Sequence, residues 1–245
     1  MNFDLDFTGK NVLVVGGSSG IGNAAAQAYR ANGANVAVWG TRPSADDYAG
    51  QDGSDLTGLH YAQVDVGNFD SIAAAELPFE TLDVLVLSQG LVLYKRQEFD
   101  VAGFQKVLDV NLTSLMACCN KFLDKLLESK GNVVVVSSTA AFHATMGTPA
   151  YSASKAGTMG LIRSLAQLHA RKGVRFNAVA PGMIPTKMTK VTTEDEERSK
   201  QVLAHIPMGR FGESSEIAGT ILFLSSPLAG YITGQTIAAE GGLLL

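Results

Sequence analysis

Tyr151 and Lys155 stand four residues apart in the run Tyr151-Ser152-Ala153-Ser154-Lys155. On a helix that spacing puts both side chains on one face. An ammonium beside a phenol favours the phenolate and lowers its pKa from about 10. A phenol tuned in this way exchanges a proton with a substrate oxygen. Ser137 and Ser138 end the apolar run Val133–Val136, and Ser138 precedes Tyr151 by 13 residues (151 − 138). A loop of that length can return the chain and aim both hydroxyls at one carbonyl.

A second constellation lies near the start of the chain, in Val14-Val15-Gly16-Gly17-Ser18-Ser19-Gly20-Ile21-Gly22. Glycine permits the tight turn and lets the backbone approach a ligand closely. A helix opening near Gly20 points unpaired N–H groups and a positive dipole end at the turn, where a pyrophosphate can bind. The spacing is G-x-x-x-G-x-G rather than G-x-G-x-x-G, and no lysine follows as in a nucleotide-hydrolase P-loop. The alternative is a glycine-rich turn that holds no ligand. Ser18 and Ser19 offer hydroxyls to the adenosine side of a dinucleotide.

The next apolar run ends in Trp39-Gly40-Thr41-Arg42-Pro43, with no acid at its tip; Asp46 and Asp47 come several residues late. Without that carboxylate nothing repels a 2′-phosphate, and Arg42 can pair with one. NADP(H) is thereby favoured over NAD(H), and an ordinary surface arginine is the other reading of Arg42.

The elements that must position these groups follow from the hydrophobic pattern. Short apolar runs at 11–15, 35–39, 59–64, 84–87, 132–137, 175–180 and 236–239 predict seven strands. Several are continuous, as strands covered on both faces tend to be. Amphipathic stretches at 21–32, 71–77, 102–127, 150–172 and 213–224 predict helices between them. This alternation predicts one α/β domain over 1–245, doubly wound and Rossmann-type, with a parallel sheet flanked by helices. The stretch 183–205, rich in Lys, Thr and acids, breaks the alternation and reads as a substrate lid. Within it, Glu194-Asp195-Glu196-Glu197-Arg198 reads as a solvated helix start.

Composition narrows the function. A net charge of −4 with 17% charged residues argues against nucleic-acid binding. Cys118 and Cys119 are adjacent and have no metal-ligand spacing, so buried reduced thiols and a cytoplasmic setting are expected, with no metal. The first ten residues carry acids and no long apolar core, which does not read as a secretory signal. No run approaches the ~18 apolar residues of a membrane span.

Taken together, these motifs resemble the single-domain branch of the short-chain dehydrogenase/reductase family, including members that reduce 3-oxoacyl thioesters on acyl-carrier protein. The resemblance spans essentially the whole chain. It rests on Gly16–Gly22, Asp65-Val66, Asn111 in Val110-Asn111-Leu112, Ser138, Tyr151 with Lys155, Pro181-Gly182-Met183-Ile184-Pro185-Thr186, Tyr231–Gln235 and Gly241-Gly242. It implies that Tyr151 is the general acid in reduction and the base in oxidation. Lys155 would hold the nicotinamide ribose and lower the Tyr151 pKa. Ser138 would hydrogen-bond the substrate oxygen, and Asn111, in mid-helix, would hold a water that relays protons from Lys155. Asp65 would meet the adenine amino group with Val66 beside it. Ser88, Gln89, Gly90, Pro181, Gly182, Ile184 and Thr186 would line the rest of the cofactor.

Four departures from the family pattern stand out. Val15 replaces a threonine, Leu87-Ser88-Gln89-Gly90 replaces Asn-Asn-Ala-Gly, the helix after Asp65 is short, and Glu240 replaces an aspartate. None removes a catalytic group. Phe142, His143, Met183 and Met188, with Leu91 and Met146, are candidates for a substrate wall, and His205 ends the lid. Lys130 and Lys172 offer a modest basic surface for an acidic acyl carrier.

The expectation is an NADP(H)-dependent oxidoreductase that interconverts a ketone or aldehyde with an alcohol, assembled as a homotetramer or homodimer. A 3-oxoacyl-thioester reductase and an NAD-dependent dehydrogenase of a small hydrophobic or cyclic alcohol stay open. A dinucleotide-using lyase or epimerase and a non-catalytic dinucleotide-binding regulator are the rivals from other classes.

Overall fold

Runs such as Val12–Val15, Val84–Leu87 and Val133–Val136 are β-branched or apolar at every position, so each must be covered on both sides. A computed structural model describes residues 5–245 and shows how. The first four residues of the stretch read as no secretory signal lie outside the described residues.

Seven strands form one sheet: β1 (Asn11–Val15), β2 (Asn35–Gly40), β3 (His60–Gln63), β4 (Val84–Leu87), β5 (Asn132–Val136), β6 (Arg175–Pro181) and β7 (Thr236–Ala239). Their spatial order is β3-β2-β1-β4-β5-β6-β7, and each neighbouring pair is parallel. The helices are α1 (Gly20–Ala31), α2 (Phe69–Ala74), α3 (Val101–Leu108), α4 (Ser114–Ser129), α5 (Pro149–His169), α6 (Lys190–Thr193), α7 (Glu196–Leu203) and α8 (Ser214–Ser225).

Successive strand residues face opposite sides, and this alternation builds two cores. Leu13, Trp39, Leu85 and Val133 point to the layer of α4 and α5, against Phe122 and Ile162. Val12, Val38, Val86 and Val134 point to the layer of α1 and α8, against Tyr29 and Ile221. Leu85 is fully buried in the first core, and its truncation to alanine would cost about 2–5 kcal/mol. Cys118 and Cys119 are free, reduced and buried on α4. Burial pushes the Cys118 thiol up to about 12, and Cys119 moves in the same direction, so neither is a reactive thiolate.

Four elements differ in detail from the pattern-based expectation. The helix expected at 102–127 is broken by a five-residue π-helical turn, Asp109–Thr113, between α3 and α4. The helix expected at 71–77 starts two residues earlier, because Asn68 accepts the Asp70 and Ser71 N–H groups as its cap. The lid stretch carries α6 and α7, with Asp195 capping α7 through the Arg198 N–H. The β2–β3 crossover has no α-helix. It runs through a 3-10 turn, Ala45–Tyr48, and a glycine-containing strap that lies on α1.

The strand order reverses between β1 and β4. In such sheets the crevice outside the carboxyl ends at the reversal is where ligands bind. Gly16, Thr41, Ser88, Ser138 and Gly182 all lie just beyond those ends.

Candidate active site

The glycine loop is shaped for main-chain contact. Gly16 has φ +74°, and a Cβ built on it would lie 2.8 Å from the Gln89 nitrogen. A Cβ on Gly22 would fall 2.3 Å from the Gly16 carbonyl oxygen, so no side chain is tolerated there. Ser19 is the residue before α1 and makes no side-chain cap bond. The N–H groups of Gly20, Ile21 and Gly22 open that helix, where donors lack partners within the helix. One is used: the Gly20 N–H donates to the Gly53 carbonyl of the strap at 2.8 Å.

At the β2 tip the structure adds a residue that the sequence pattern did not single out. Tyr48 is buried, and its hydroxyl accepts the Thr41 and Arg42 backbone N–H groups, each at 3.2 Å. Burial pushes the phenol pKa up, but Ser18, also buried and facing the same hydroxyl, together with Arg42, Tyr61 and Thr41 pulls it down, and the net shift is downward. The Arg42 guanidinium stacks over the Tyr48 ring and bonds the Asp47 carbonyl. Lys187 approaches that ring from the lid side, 5.8 Å from its centre, and bonds Gln51 of the strap. The groups expected to meet a ribose 2′-phosphate are thus gathered in one place, around Tyr48. The glycine cradle, bare of Cβ atoms at Gly16 and Gly22, has the chemistry to take a pyrophosphate on main-chain N–H groups, with the Gly20 N–H held by the strap; at the ribose-phosphate end the Tyr48 hydroxyl holds the Thr41 and Arg42 N–H groups.

At the other end of the crevice, Ser138 begins a 3-10 turn whose Ala140 N–H it accepts at 3.1 Å. Tyr151 is in the first turn of α5, partly buried. The Ser138 hydroxyl lies beside its phenol and pulls the pKa down. Burial is the larger effect and Tyr94 and Glu98 add to it, so the phenol ends above its ordinary value. Lys155 is buried, donates to the Val136 carbonyl at 2.9 Å, and has its nitrogen 5.6 Å from the Tyr151 ring centre. Burial lowers the Lys155 pKa to about 8. The expected lowering of the Tyr151 pKa is therefore outweighed by desolvation, with the ammonium held on a carbonyl.

Asn111 sits in the π-helical turn, fully buried. Its Oδ1 accepts the Leu91 N–H at 2.7 Å, and its amide donates to the Leu91 carbonyl at 2.9 Å and to Ser154 at 3.1 Å. It ties the chain after β4 to α5. Gly90 lies between these groups: a Cβ there would be 3.9 Å from the Lys155 nitrogen and 3.4 Å from the Met188 methyl. Gln89 turns its amide away to Ser114 on α4, 3.0 Å, and its Oε1 has no partner among the described residues. Ser88 stands beside Gly22.

The remaining candidates divide. Asp65 is exposed and accepts the Gly67 N–H, while Val66 is buried. Pro181 ends β6 against Ala239, and Gly182 packs on Glu240 with no room for a Cβ. Ile184 is buried, and Thr186 closes on Gly20, 3.2 Å from a Cβ built there. Met188 receives the Tyr94 hydroxyl on its carbonyl at 2.7 Å. Phe142, His143 and Met146 are exposed in the Ser138–Tyr151 loop. Met183 lines a largely apolar cleft of about 240 Å³ with Ile206 and Met208. His205 is exposed, and its ring bonds only the Gln201 carbonyl among the described residues. Tyr48, Tyr94, Glu98 and Lys187 escape sequence reading because they sit in irregular loops, where no period marks a facing side chain.

A parallel sheet with a glycine cradle at its switch point, facing a Tyr/Lys pair, defines a dinucleotide-using α/β enzyme. Comparison with known proteins narrows the class. Residues 15–244 match the family model described as enoyl-(acyl carrier protein) reductase. The chain is 38% identical to glucose 1-dehydrogenase of Gluconobacter oxydans, over 98% of this chain and 93% of that one. It is 35% identical to the 3-oxoacyl-[acyl-carrier-protein] reductase FabG of Chlamydia muridarum, over 96% and 97%. The Pseudomonas aeruginosa RhlG/NADP active-site complex superposes with a TM-score of 0.91 at 30% identity, covering all of both chains. The chain belongs to the short-chain dehydrogenase/reductase family, whose oxidoreductases act on alcohol or keto groups with a nicotinamide dinucleotide. No helix among the described residues is long and apolar enough to cross a membrane.

Proposed function

We propose that the protein is an NADP(H)-dependent oxidoreductase that interconverts a ketone or aldehyde with an alcohol, with Tyr151 as its general acid and base. The observation that carries this reading is the Ser138 hydroxyl beside the Tyr151 phenol, with Lys155 buried one helical turn further on. When bound, the nicotinamide cofactor supplies or accepts the hydride. Ser138 donates to the substrate oxygen and orients it. Tyr151 gives its phenolic proton to that oxygen in reduction and takes it back in oxidation. Lys155 holds the nicotinamide ribose and restores the proton, and Asn111 keeps the relay beside it in place. Gly16–Gly22 hold the pyrophosphate on main-chain N–H groups, and Arg42 takes the 2′-phosphate. Residues 183–205 close over the substrate as a lid within a single domain.

Two substrate readings have specific support. The likeness to a 3-oxoacyl-[acyl-carrier-protein] reductase favours a 3-oxoacyl thioester. Gly173 packs on Lys130, which brings Lys130 and Lys172 to one surface suited to an acidic carrier. The likeness to glucose 1-dehydrogenase favours a small cyclic alcohol. Exposed Met116 on α4 and Leu168 on α5 support a tetramer packed along those helices. NADPH and NADH oxidation with a panel of ketones, aldehydes and one 3-oxoacyl thioester, run beside NADP-linked oxidation of cyclic alcohols, tests the reading. No turnover on any member would overturn it.

A further inference from the structure

Glu98 lies in a 3-10 turn between β4 and α3 and is 1% exposed. A buried carboxylate needs partners, and this one has two. Its Oε1 accepts the Leu93 N–H at 3.0 Å, and its Oε2 accepts the Tyr151 N–H at 2.9 Å. The second bond joins positions 53 residues apart. It reaches the first turn of α5, whose N–H groups have no partner within the helix. Pro149 supplies no N–H there, and Thr148, at the cap position, turns its hydroxyl to Thr145 at 2.9 Å rather than capping the helix. Glu98 therefore does from a distant loop what a local cap ordinarily does. Its charge also faces the positive end of a 21-residue helix.

The loop that delivers Glu98 is itself unusual. Lys95 and Arg96 both adopt left-handed backbone, with φ of 55° and 63°, a region that non-glycine residues seldom occupy. Between Leu93 and Glu98 the chain thus turns back on itself, and the Leu93–Glu98 bond closes that turn. The same loop carries Tyr94, which bonds the Met188 carbonyl in the lid.

We propose that Glu98 is a positioning residue for proton transfer: its carboxylate fixes the Tyr151 main chain so that the phenol meets Ser138. This rests on the reading of Tyr151 as the acid and base. The titratable groups facing the phenol are Tyr94 and Glu98 from the loop after β4, and Lys155 from α5 itself. Burial is the largest influence on the phenol, Ser138 opposes it, and Tyr94 and Glu98 reinforce it.

The test is an ultraviolet titration of the Tyr151 phenol, isolated as the difference between each protein and its Tyr151→Phe counterpart, with and without Glu98→Gln. The midpoint falls in E98Q, and kcat for carbonyl reduction drops on the order of tenfold while the NADPH Kd holds. Glu98→Asp, which keeps the charge and both oxygens, returns the midpoint to the wild-type value. A folded E98Q with unchanged midpoint and kcat overturns the proposal. Failure of both E98Q and E98D to fold would make Glu98 a folding element alone and overturn it equally. An active Y151F would instead overturn the reading of Tyr151, and the titration would still report what Glu98 does to the phenol.

Discussion

The Arg42 guanidinium lies 4.8 Å from the centre of the Tyr48 ring, while the Arg42 backbone N–H donates to the Tyr48 hydroxyl at 3.2 Å. Both ends of the residue expected to read a 2′-phosphate are thus engaged by one aromatic side chain. A ribose phosphate that took the Thr41 and Arg42 N–H groups would have to displace the Tyr48 hydroxyl from them. Were that displacement part of binding, the apparent affinity would be lowered by the fraction of chains in which Tyr48 is out. Tyr48→Ala is expected to tighten NADPH binding about tenfold, measured by calorimetry. Unchanged or weaker binding would show that Tyr48 does not compete.

In the proposed reading it is Arg42 that separates the two cofactors. A charge-assisted bond to phosphate contributes about 1.5–3 kcal/mol. Arg42→Ala should therefore lower kcat/KM for NADPH roughly 10- to 100-fold and leave NADH nearly unaffected. The ratio of the two efficiencies, before and after the substitution, checks this; an unchanged ratio removes Arg42 from the phosphate site.

Lys155 makes stability depend on pH. Burial lowers its pKa from 10.5 to about 8. The native state therefore sheds the proton near pH 8, whereas the unfolded chain keeps it until about 10.5. Below pH 8 both states are charged and the native state bears the full desolvation cost. Between those values the unfolded state binds more protons, so the cost is relieved as pH rises. Lys155→Met abolishes it throughout. The stability of K155M relative to wild type should exceed its value at about pH 10.5 by about 3 kcal/mol at about pH 7. Urea unfolding of both proteins at the two pH values measures the difference, and a constant offset would contradict it.

Much of this was legible in the sequence because it lies on periodic elements. Short apolar runs marked all seven strands, most plainly β1, β4 and β5, where a strand covered on both faces leaves almost no polar position. Ser138, Tyr151 and Lys155 were legible because a strand end and a helix turn fix where their side chains go. The break at Asp109–Thr113 was not, since a π-helical turn inserts a residue without changing the apolar stripe around it. Tyr48 and Glu98 were hidden for another reason. Each reaches its partner through loop geometry, Tyr48 through the glycine-containing strap and Glu98 through two left-handed residues. No pattern of residue types records those paths.

Proton transfer in the proposed reaction depends first on the Tyr151 phenol. The measurement is turnover of Tyr151→Phe on the best carbonyl substrate with NADPH, beside the NADPH Kd of the same protein. With the ring kept and only the hydroxyl removed, kcat should fall about 10²- to 10⁴-fold while the Kd stays within about twofold of wild type. A Y151F protein that turns over at the wild-type rate would contradict the central claim.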